Sequence, residues 1–233
     1  MLSSRLLYIC CTIFFGVQSF AAEVKAPVPS VVQPSEEDLK MVRGIDSAYQ
    51  KAKTVSMNIK KSIKSQLIDS HASSSGKVLF SKGRMRMELN DPDKSLVVID
   101  KKHIWVVNYP SGEFKNSALQ VLKAEISSKK GRSQNFLGLL TQGGVLKYFN
   151  VSGLMKLSDE EKIFFLQPND ATVEFKRAQM VLNPKTKRIT GLRYWDELDN
   201  ETVFEFSNIK FDVKLDEKNF NFELPEGADL TEF

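Results

Sequence analysis

Hydrophobic and polar residues alternate along most of the chain after residue 54, and this period of two predicts β-strands. The segment Arg84 to Leu89 is the clearest case, because Met85, Met87 and Leu89 fall on one side and charged residues on the other. Further strands are predicted at 95–99, 103–109, 145–151, 162–167, 171–182, 188–196, 201–212 and 219–223. Many short strands separated by turn residues favour an antiparallel sheet that curls into a barrel or a sandwich.

A helix is predicted before the strands. Ser35 is suited to the N-cap, and three acidic residues follow it in the first turn, where the helix dipole favours negative charge. The apolar residues of this segment recur at helical spacing and form one face: Leu39, Val42, Ile45 and Tyr49.

A second, shorter helix is predicted within residues 133–140, where apolar residues crowd together before Gly143 and Gly144. Such a helix between strands either plugs one end of the curled sheet or covers a ligand cavity as a lid. Spacing alone leaves both interpretations open.

The N-terminal residues are typical of a secretory signal peptide. Arg5 precedes an apolar run of about 12 residues at positions 6–17, which is short of the ~20 that span a bilayer, and cleavage is expected after Ala21. An uncleaved membrane anchor is the alternative. A lipoprotein signal is excluded because Ile9, rather than a small residue, precedes Cys10. We therefore expect a signal peptide at 1–21, a Pro-rich linker at 22–34 and one domain at 35–233.

Composition disfavours most enzymes and nucleic-acid binders. The 33 basic and 29 acidic residues give a net charge of only +4, and both cysteines lie within the signal segment. Two histidines and no recognised nucleophile, metal or phosphate-binding motif leave little for catalysis. We expect no enzymatic activity, no cofactor and no metal site.

The order of motifs resembles the periplasmic outer-membrane lipoprotein carrier family of the LolA type. The resemblance covers roughly residues 36–230, and its motifs stand at 76–80, 82–86, 91–100, 104–105 and 220–229, the last reading Phe-Asn-Phe-Glu-Leu-Pro-Glu-Gly-Ala-Asp. It implies a mainly β protein with a few helices: an unclosed antiparallel β-barrel, or curled sheet, with a helical lid and an apolar cavity for acyl chains.

The same resemblance implies roles for particular residues. The cavity is expected at Met85, Met87, Leu89, Val97, Ile99, Ile104 and Val106, and the lid at Phe136, Leu137 and Leu140. Alternation does not choose between Val97 with Ile99 and Leu96 with Val98, since all four are apolar. An arginine that helps to fasten the lid in the family aligns with Ser81 here. Lys82 or Arg84 could take its place only with a shift in the alignment, and Arg84 is a possible lid latch.

The implied function is that of a monomeric chaperone in the periplasm of a Gram-negative bacterium. It would take acylated lipoproteins from an inner-membrane ABC transporter and deliver them to an outer-membrane acceptor. Two alternatives with the same fold remain: a regulatory protein that senses lipoproteins, and a carrier of another lipid.

Overall fold

One twelve-stranded sheet dominates the protein. The structure, a computed structural model, describes residues 30–67, 70–90, 92, 94–110, 112, 115–127, 137–140, 144–169 and 175–232. Its strands are β1 (Thr54–Ser65), β2 (Ser70–Ser81), β3 (Arg84–Leu89), β4 (Ser95–Ile99), β5 (His103–Asn108), β6 (Gln120–Glu125), β7 (Phe149–Lys156), β8 (Lys162–Pro168), β9 (Arg177–Asn183), β10 (Arg188–Trp195), β11 (Glu201–Phe211) and β12 (Asp229–Glu232). The strand order is β12-β6-β5-β4-β3-β2-β1-β11-β10-β9-β8-β7.

Two meanders of neighbouring hairpins make up this sheet, and the antiparallel pair β1–β11 joins them. The order runs from one edge to the other without closing, as expected for an unclosed, curled sheet. Irregular register between Ser56 and Asn58, between Val151 and Gly153, and between Ile189 and Gly191 increases local bending and twist. One pair departs from the predicted antiparallel pattern, because β12 runs parallel to β6.

Alternation of side chains along the strands gives the sheet two different faces. The concave face carries the main hydrophobic core, which includes side chains from β1–β5 and β7–β11 as well as from the helix α1 (Glu36–Lys51). The outer face carries a small second cluster built from Leu96, Val98, Val107 and Val121. A sheet that wraps around a helix in this way places its largest apolar surface inside.

The predicted helix begins where its N-terminal signals indicate. Ser35 and Asp38 form a capping box, in which each side chain accepts a hydrogen bond from the other residue's backbone N–H. The helix buries Val42, Ile45 and Tyr49, as its apolar spacing predicts. Among the helices that the structure describes, none is long and apolar enough to cross a membrane.

The edge strands of the sheet are β12, which pairs in parallel with Gln120–Lys123 of β6, and β7. The β7 edge has a further backbone partner, because Val32, within the predicted linker, exchanges two backbone hydrogen bonds of 2.8 Å with Leu154 of β7. Covered edges offer fewer free N–H and C=O groups for pairing with another chain.

Two predicted element positions need correction. Residues Val145–Lys147 form a 3₁₀ turn, so the strand predicted at 145–151 begins at Phe149. The strand predicted at 219–223 is wrong: residues Glu217–Phe220 form a 3₁₀ turn followed by extended chain. Phe220 and Phe222 alternate in the sequence as they would in a strand, but this segment pairs with no strand among the described residues. Phe220 instead packs under Arg84, and Phe222 packs against Trp105.

Candidate functional site

The concave face is rich in methionine. Four of the six methionines that the structure describes are buried in its core cluster, and Met41 of α1 packs against the same cluster. These four are Met57, Met85, Met87 and Met180. Methionine is unbranched and polarizable, so a face built from it can adapt to apolar groups of different shapes.

Strand register decides which predicted residues belong to this face. Met85 pairs with Ile99, Met87 with Val97, and Leu89 with Ser95. Val97 and Ile99 therefore lie on the concave face, and Leu96 and Val98 lie on the outer face. Alternation could not distinguish these two sets, because only the partner strand fixes which side is enclosed.

All seven residues predicted for the cavity lie in or against the main core. Six are buried, namely Met85, Met87, Leu89, Val97, Ile99 and Ile104, and the half-buried Val106 packs against them. They share this core with the apolar side chains of α1. In the conformation described here, helix and sheet side chains occupy most of the concave face.

Asp46 fastens α1 to the turn Val145–Lys147. Its carboxylate is only 4% exposed, and its Oδ1 accepts the Val145 N–H at 2.8 Å while Oδ2 accepts from Gln50 at 3.0 Å. Burial raises the pKa of Asp46, although the hydrogen bonds from Val145, Leu146 and Gln50 act in the opposite direction. The neighbouring Gly144 has φ +83°, and a Cβ there would lie 2.3 Å from Oδ2 of Asp46.

Two further contacts hold α1 across the sheet. Near its start, Asp38 accepts from Lys162 of β8 at 2.6 Å. Near its end, the Tyr49 hydroxyl oxygen accepts the Ile189 N–H at 3.3 Å, and burial raises the pKa of Tyr49 to about 12. The helix is thus attached by a small number of polar contacts around a large apolar contact.

A cavity of about 250 Å³ opens on the concave side, next to the tip of the β1–β2 hairpin. Leu89 is the one predicted cavity residue that lines it, and the other lining residues are Lys61, Ile63, Ala72, Ser74, Lys94, Ser95, Asn108 and Tyr109. Two larger depressions, of about 740 and 500 Å³, lie on the outer face beside polar residues such as the exposed Lys77 and the half-buried Arg193.

The predicted lid falls only partly within the described residues. Leu137–Leu140 form a short 3₁₀ helix that contacts α1, and Leu137 is buried in the main core. Phe136 lies outside the described residues, and so does the side chain of Leu140.

Arg84, considered above as a possible lid latch, contacts the C-terminal segment on the outer face, and most of the predicted lid lies outside the described residues. It forms an ion pair with Glu217, and its guanidinium carbon lies 4.9 Å from the centre of the Phe220 ring. Its side chain is 13% exposed. In this structure Arg84 therefore fastens residues 217–220 to β3.

Sequence reasoning missed Asp46, Lys61 and Lys94. A carboxylate on the apolar side of a predicted amphipathic helix is the signal that could have identified Asp46. Lys61 has the same parity as Met57 and Ile59 on β1, so its inward position could have been inferred from the alternation. Lys94 lies between a turn and the start of β4, so the alternation of strand residues does not predict which side of the sheet it faces.

The family model described as outer membrane lipoprotein carrier protein LolA matches residues 50–223. An outer-membrane lipoprotein carrier protein from Legionella pneumophila (strain Corby) is 24% identical over 186 residues, which are 80% of this chain and 87% of that one.

Solved structures with a similar chain path include a LolA superfamily protein from Nitrosomonas europaea. It has a TM-score of 0.43 at 10% identity and covers 79% of this chain and 97% of its own. A putative outer membrane lipoprotein-sorting protein domain from Vibrio parahaemolyticus has a TM-score of 0.41 at 14% identity, with 78% and 95% covered.

Proposed function

This chain belongs to the LolA family of outer membrane lipoprotein carrier proteins, and from that premise we propose that it carries acylated lipoproteins across the periplasm. The acyl chains bind on the concave face, beneath α1 and the segment 137–140. An inner-membrane ABC transporter loads the carrier, and an outer-membrane acceptor receives the cargo. The carrier itself catalyses no chemical step.

The observation that carries this proposal is the methionine-rich concave face covered by one helix. In this conformation the cavity of about 250 Å³ is below the ~300–1,000 Å³ typical of small-ligand sites. We propose that an acyl chain enters when α1 and the 137–140 segment move away from the sheet, because apolar side chains of α1 and Leu137 pack with those of the sheet in the main core. In this proposal the conformation with α1 on the sheet is the closed form of the carrier.

The free energy gained by burying an acyl chain is large enough to offset the cost of exposing the apolar face of α1. Exposing Val42, Ile45 and Tyr49 costs roughly 5–9 kcal/mol at about 1.5–3 kcal/mol per buried apolar side chain. One acyl chain of roughly 16 carbons gains about 13 kcal/mol at ~0.8 kcal/mol per methylene. Cargo can thus displace the helix while the net affinity stays low enough for release.

A carrier is needed because lipoprotein anchors hold tightly to membranes. An anchor with roughly 40 methylenes gains about 30 kcal/mol from burial, so spontaneous transfer through water is negligible. Transfer between two apolar hosts requires only a small difference in affinity. An apolar face covered by a helix that cargo can displace would satisfy this requirement.

Co-purification with a tagged lipoprotein tests the proposal. The protein and the lipoprotein are expressed together, the soluble fraction is isolated, and the complex is measured by native mass spectrometry. We expect a one-to-one complex with the acylated lipoprotein and none with a variant whose acylated cysteine is replaced by alanine. Equal capture of both forms, or capture of neither, would contradict acyl-dependent carriage.

A further inference from the structure

Positive charge is concentrated at one end of the sheet, close to the point where α1 leads into β1. Thr54 of β1 pairs with Ser81 of β2, so β1 begins where β2 ends. The pairing of β3 with β4 places the β4–β5 turn beside the β2–β3 turn, and the Asp212 N–H bonds to the Thr54 carbonyl. One surface therefore contains residues 51–53, 82–84, 100–102 and 212–218, and we call it the lysine end.

The lysine end contains eight bases and four acids. The lysines among these bases are all exposed, and the eight are Lys51, Lys53, Lys82, Arg84, Lys101, Lys102, Lys214 and Lys218. The neighbouring strand β6 adds one carboxylate, Glu125, and the residues that follow it at 128–136 contain three bases and no acid. The charge of this end of the protein is therefore positive.

The carboxylates of the lysine end have hydrogen-bond partners within it. Three of the four accept the backbone N–H of a lysine: Asp100 from Lys102, Asp212 from Lys53 and Asp216 from Lys218. The fourth, Glu217, pairs with Arg84, and this hydrogen bond is the main cause that lowers the pKa of Glu217. The charges of Lys82 and Lys101 lower it further, so both hairpin tips lie within electrostatic range of Glu217.

The opposite end of the sheet has the opposite charge. Five connections join strands there, and their sequences contain nine acids and three bases; these connections are 66–69, 90–94, 109–119, 169–176 and 196–200. An anionic surface attracts the lysine end and repels the other end, so it orients the protein as the two approach each other.

The residue types at the lysine end favour a membrane rather than a protein as the partner. Seven of its eight bases are lysines, whereas protein interfaces are enriched in arginine and aromatic residues and depleted in lysine. The eighth base, Arg84, already contacts Glu217 and Phe220. A lysine is a flexible, hydrated point charge, which suits a fluid anionic surface that has no fixed shape.

We propose that the lysine end docks the protein on the surface of a bilayer that contains anionic phospholipids. The docking is electrostatic and peripheral. It adds a membrane-facing surface to the proposed carrier and does not depend on acyl binding to the concave face. For such a carrier, docking would raise its concentration where cargo is loaded or received.

Vesicle flotation with the cargo-free protein tests the inference. The vesicles contain phosphatidylcholine alone or with about one-third phosphatidylglycerol, which supplies the anionic surface. Binding is compared at about 0.02 M and about 0.3 M salt, between which the Debye length falls from roughly 20 Å to about 6 Å. We expect binding to the anionic vesicles at low salt to exceed binding to neutral ones at least about tenfold, since each lysine at such a surface contributes about fivefold. At high salt the preference should disappear.

Two triple variants with the same change in charge supply the second arm. Lys82→Gln, Lys101→Gln and Lys102→Gln together remove three hairpin-tip charges and should reduce binding to anionic vesicles at least about tenfold. The control removes three exposed lysines outside the lysine end, by Lys64→Gln, Lys77→Gln and Lys115→Gln. It should bind within about threefold of the wild type, because those charges lie away from the docked surface.

Three results would overturn the inference. They are equal binding to anionic and neutral vesicles, an equal loss of binding in the two triple variants, and binding to an oligoglutamate peptide without binding to anionic vesicles. The last result would replace the membrane by an acidic protein partner. Both triple variants should retain acyl-dependent capture of a lipoprotein, and a wild-type protein without that capture would contradict the proposed function instead.

Discussion

Asp46 offers the most direct way to loosen α1 without removing an apolar side chain. Its carboxylate is buried and accepts the backbone N–H of Val145 at 2.8 Å and the Gln50 amide at 3.0 Å. Asp46→Ala leaves the buried N–H of Val145 without its acceptor. An unsatisfied buried donor costs about 1–3 kcal/mol, and the Leu146 N–H loses the same partner.

We expect Asp46→Ala to lower the free energy of unfolding by about 2–4 kcal/mol near neutral pH. Removing the carboxylate also removes the cost of burying its charge, and this offsets part of the loss. The summed cost of leaving the Val145 and Leu146 N–H groups without an acceptor is therefore an upper limit. Urea denaturation followed by circular dichroism measures the change. Glu37→Ala is the control, since Glu37 lies on the same helix but is exposed. A loss below about 0.5 kcal/mol, or one equal to that of the control, would refute the assigned role.

The pH dependence gives an independent check on the same group. Burial raises the pKa of Asp46 above its ordinary value of 3.8, so the folded protein holds this proton more tightly than the unfolded chain. The stabilisation from the protonated carboxyl is complete below pH 3.8 and is lost as the pH rises through the folded-state pKa. Asp46→Asn lacks this titration. The wild-type stability minus that of Asp46→Asn should therefore fall with rising pH, and a difference that rises would contradict the raised pKa.

Three other substitutions test separate parts of the structure. Gly144→Ala should lower the free energy of unfolding, measured by urea denaturation, more than Gly227→Ala does. Both glycines have positive φ, but of the two only Gly144 has side chains within 4 Å of the position of the new Cβ. Arg84→Met should lower stability by about 1 kcal/mol and speed proteolysis of the C-terminal segment, with acyl binding unchanged. Met87→Glu should abolish cargo capture in the co-purification assay because it places a charge on an apolar face, whereas Met87→Leu should retain it.

The strands and α1 follow closely from local patterns. Ser35 and the acidic first turn locate the helix start because capping is a property of adjacent residues. The alternation around Met85 and Met87 is equally local, and it gives the buried side of β3 correctly. The match of residues 50–223 to the family confirms the resemblance read from short motifs.

Contacts between distant segments could not be predicted in the same way. The side of β4 that faces the core depends on the register with β3, and both sides of β4 are apolar. The Asp46–Val145 hydrogen bond joins residues 99 positions apart. Arg84 forms an ion pair with Glu217, which lies 133 positions later in the chain. No spacing in the sequence indicates that the C-terminal segment lies against β3.

The central claim is that acyl chains lie on the concave face beneath α1. A lipoprotein or fatty acid with a photoreactive diazirine in its acyl chain tests this directly when the complex is irradiated and the labelled peptides are identified by mass spectrometry. We expect adducts on the inward residues of β3 and β4, at Met85, Met87 and Val97. Adducts confined to the outer face, around Lys77 and Arg193, would contradict it.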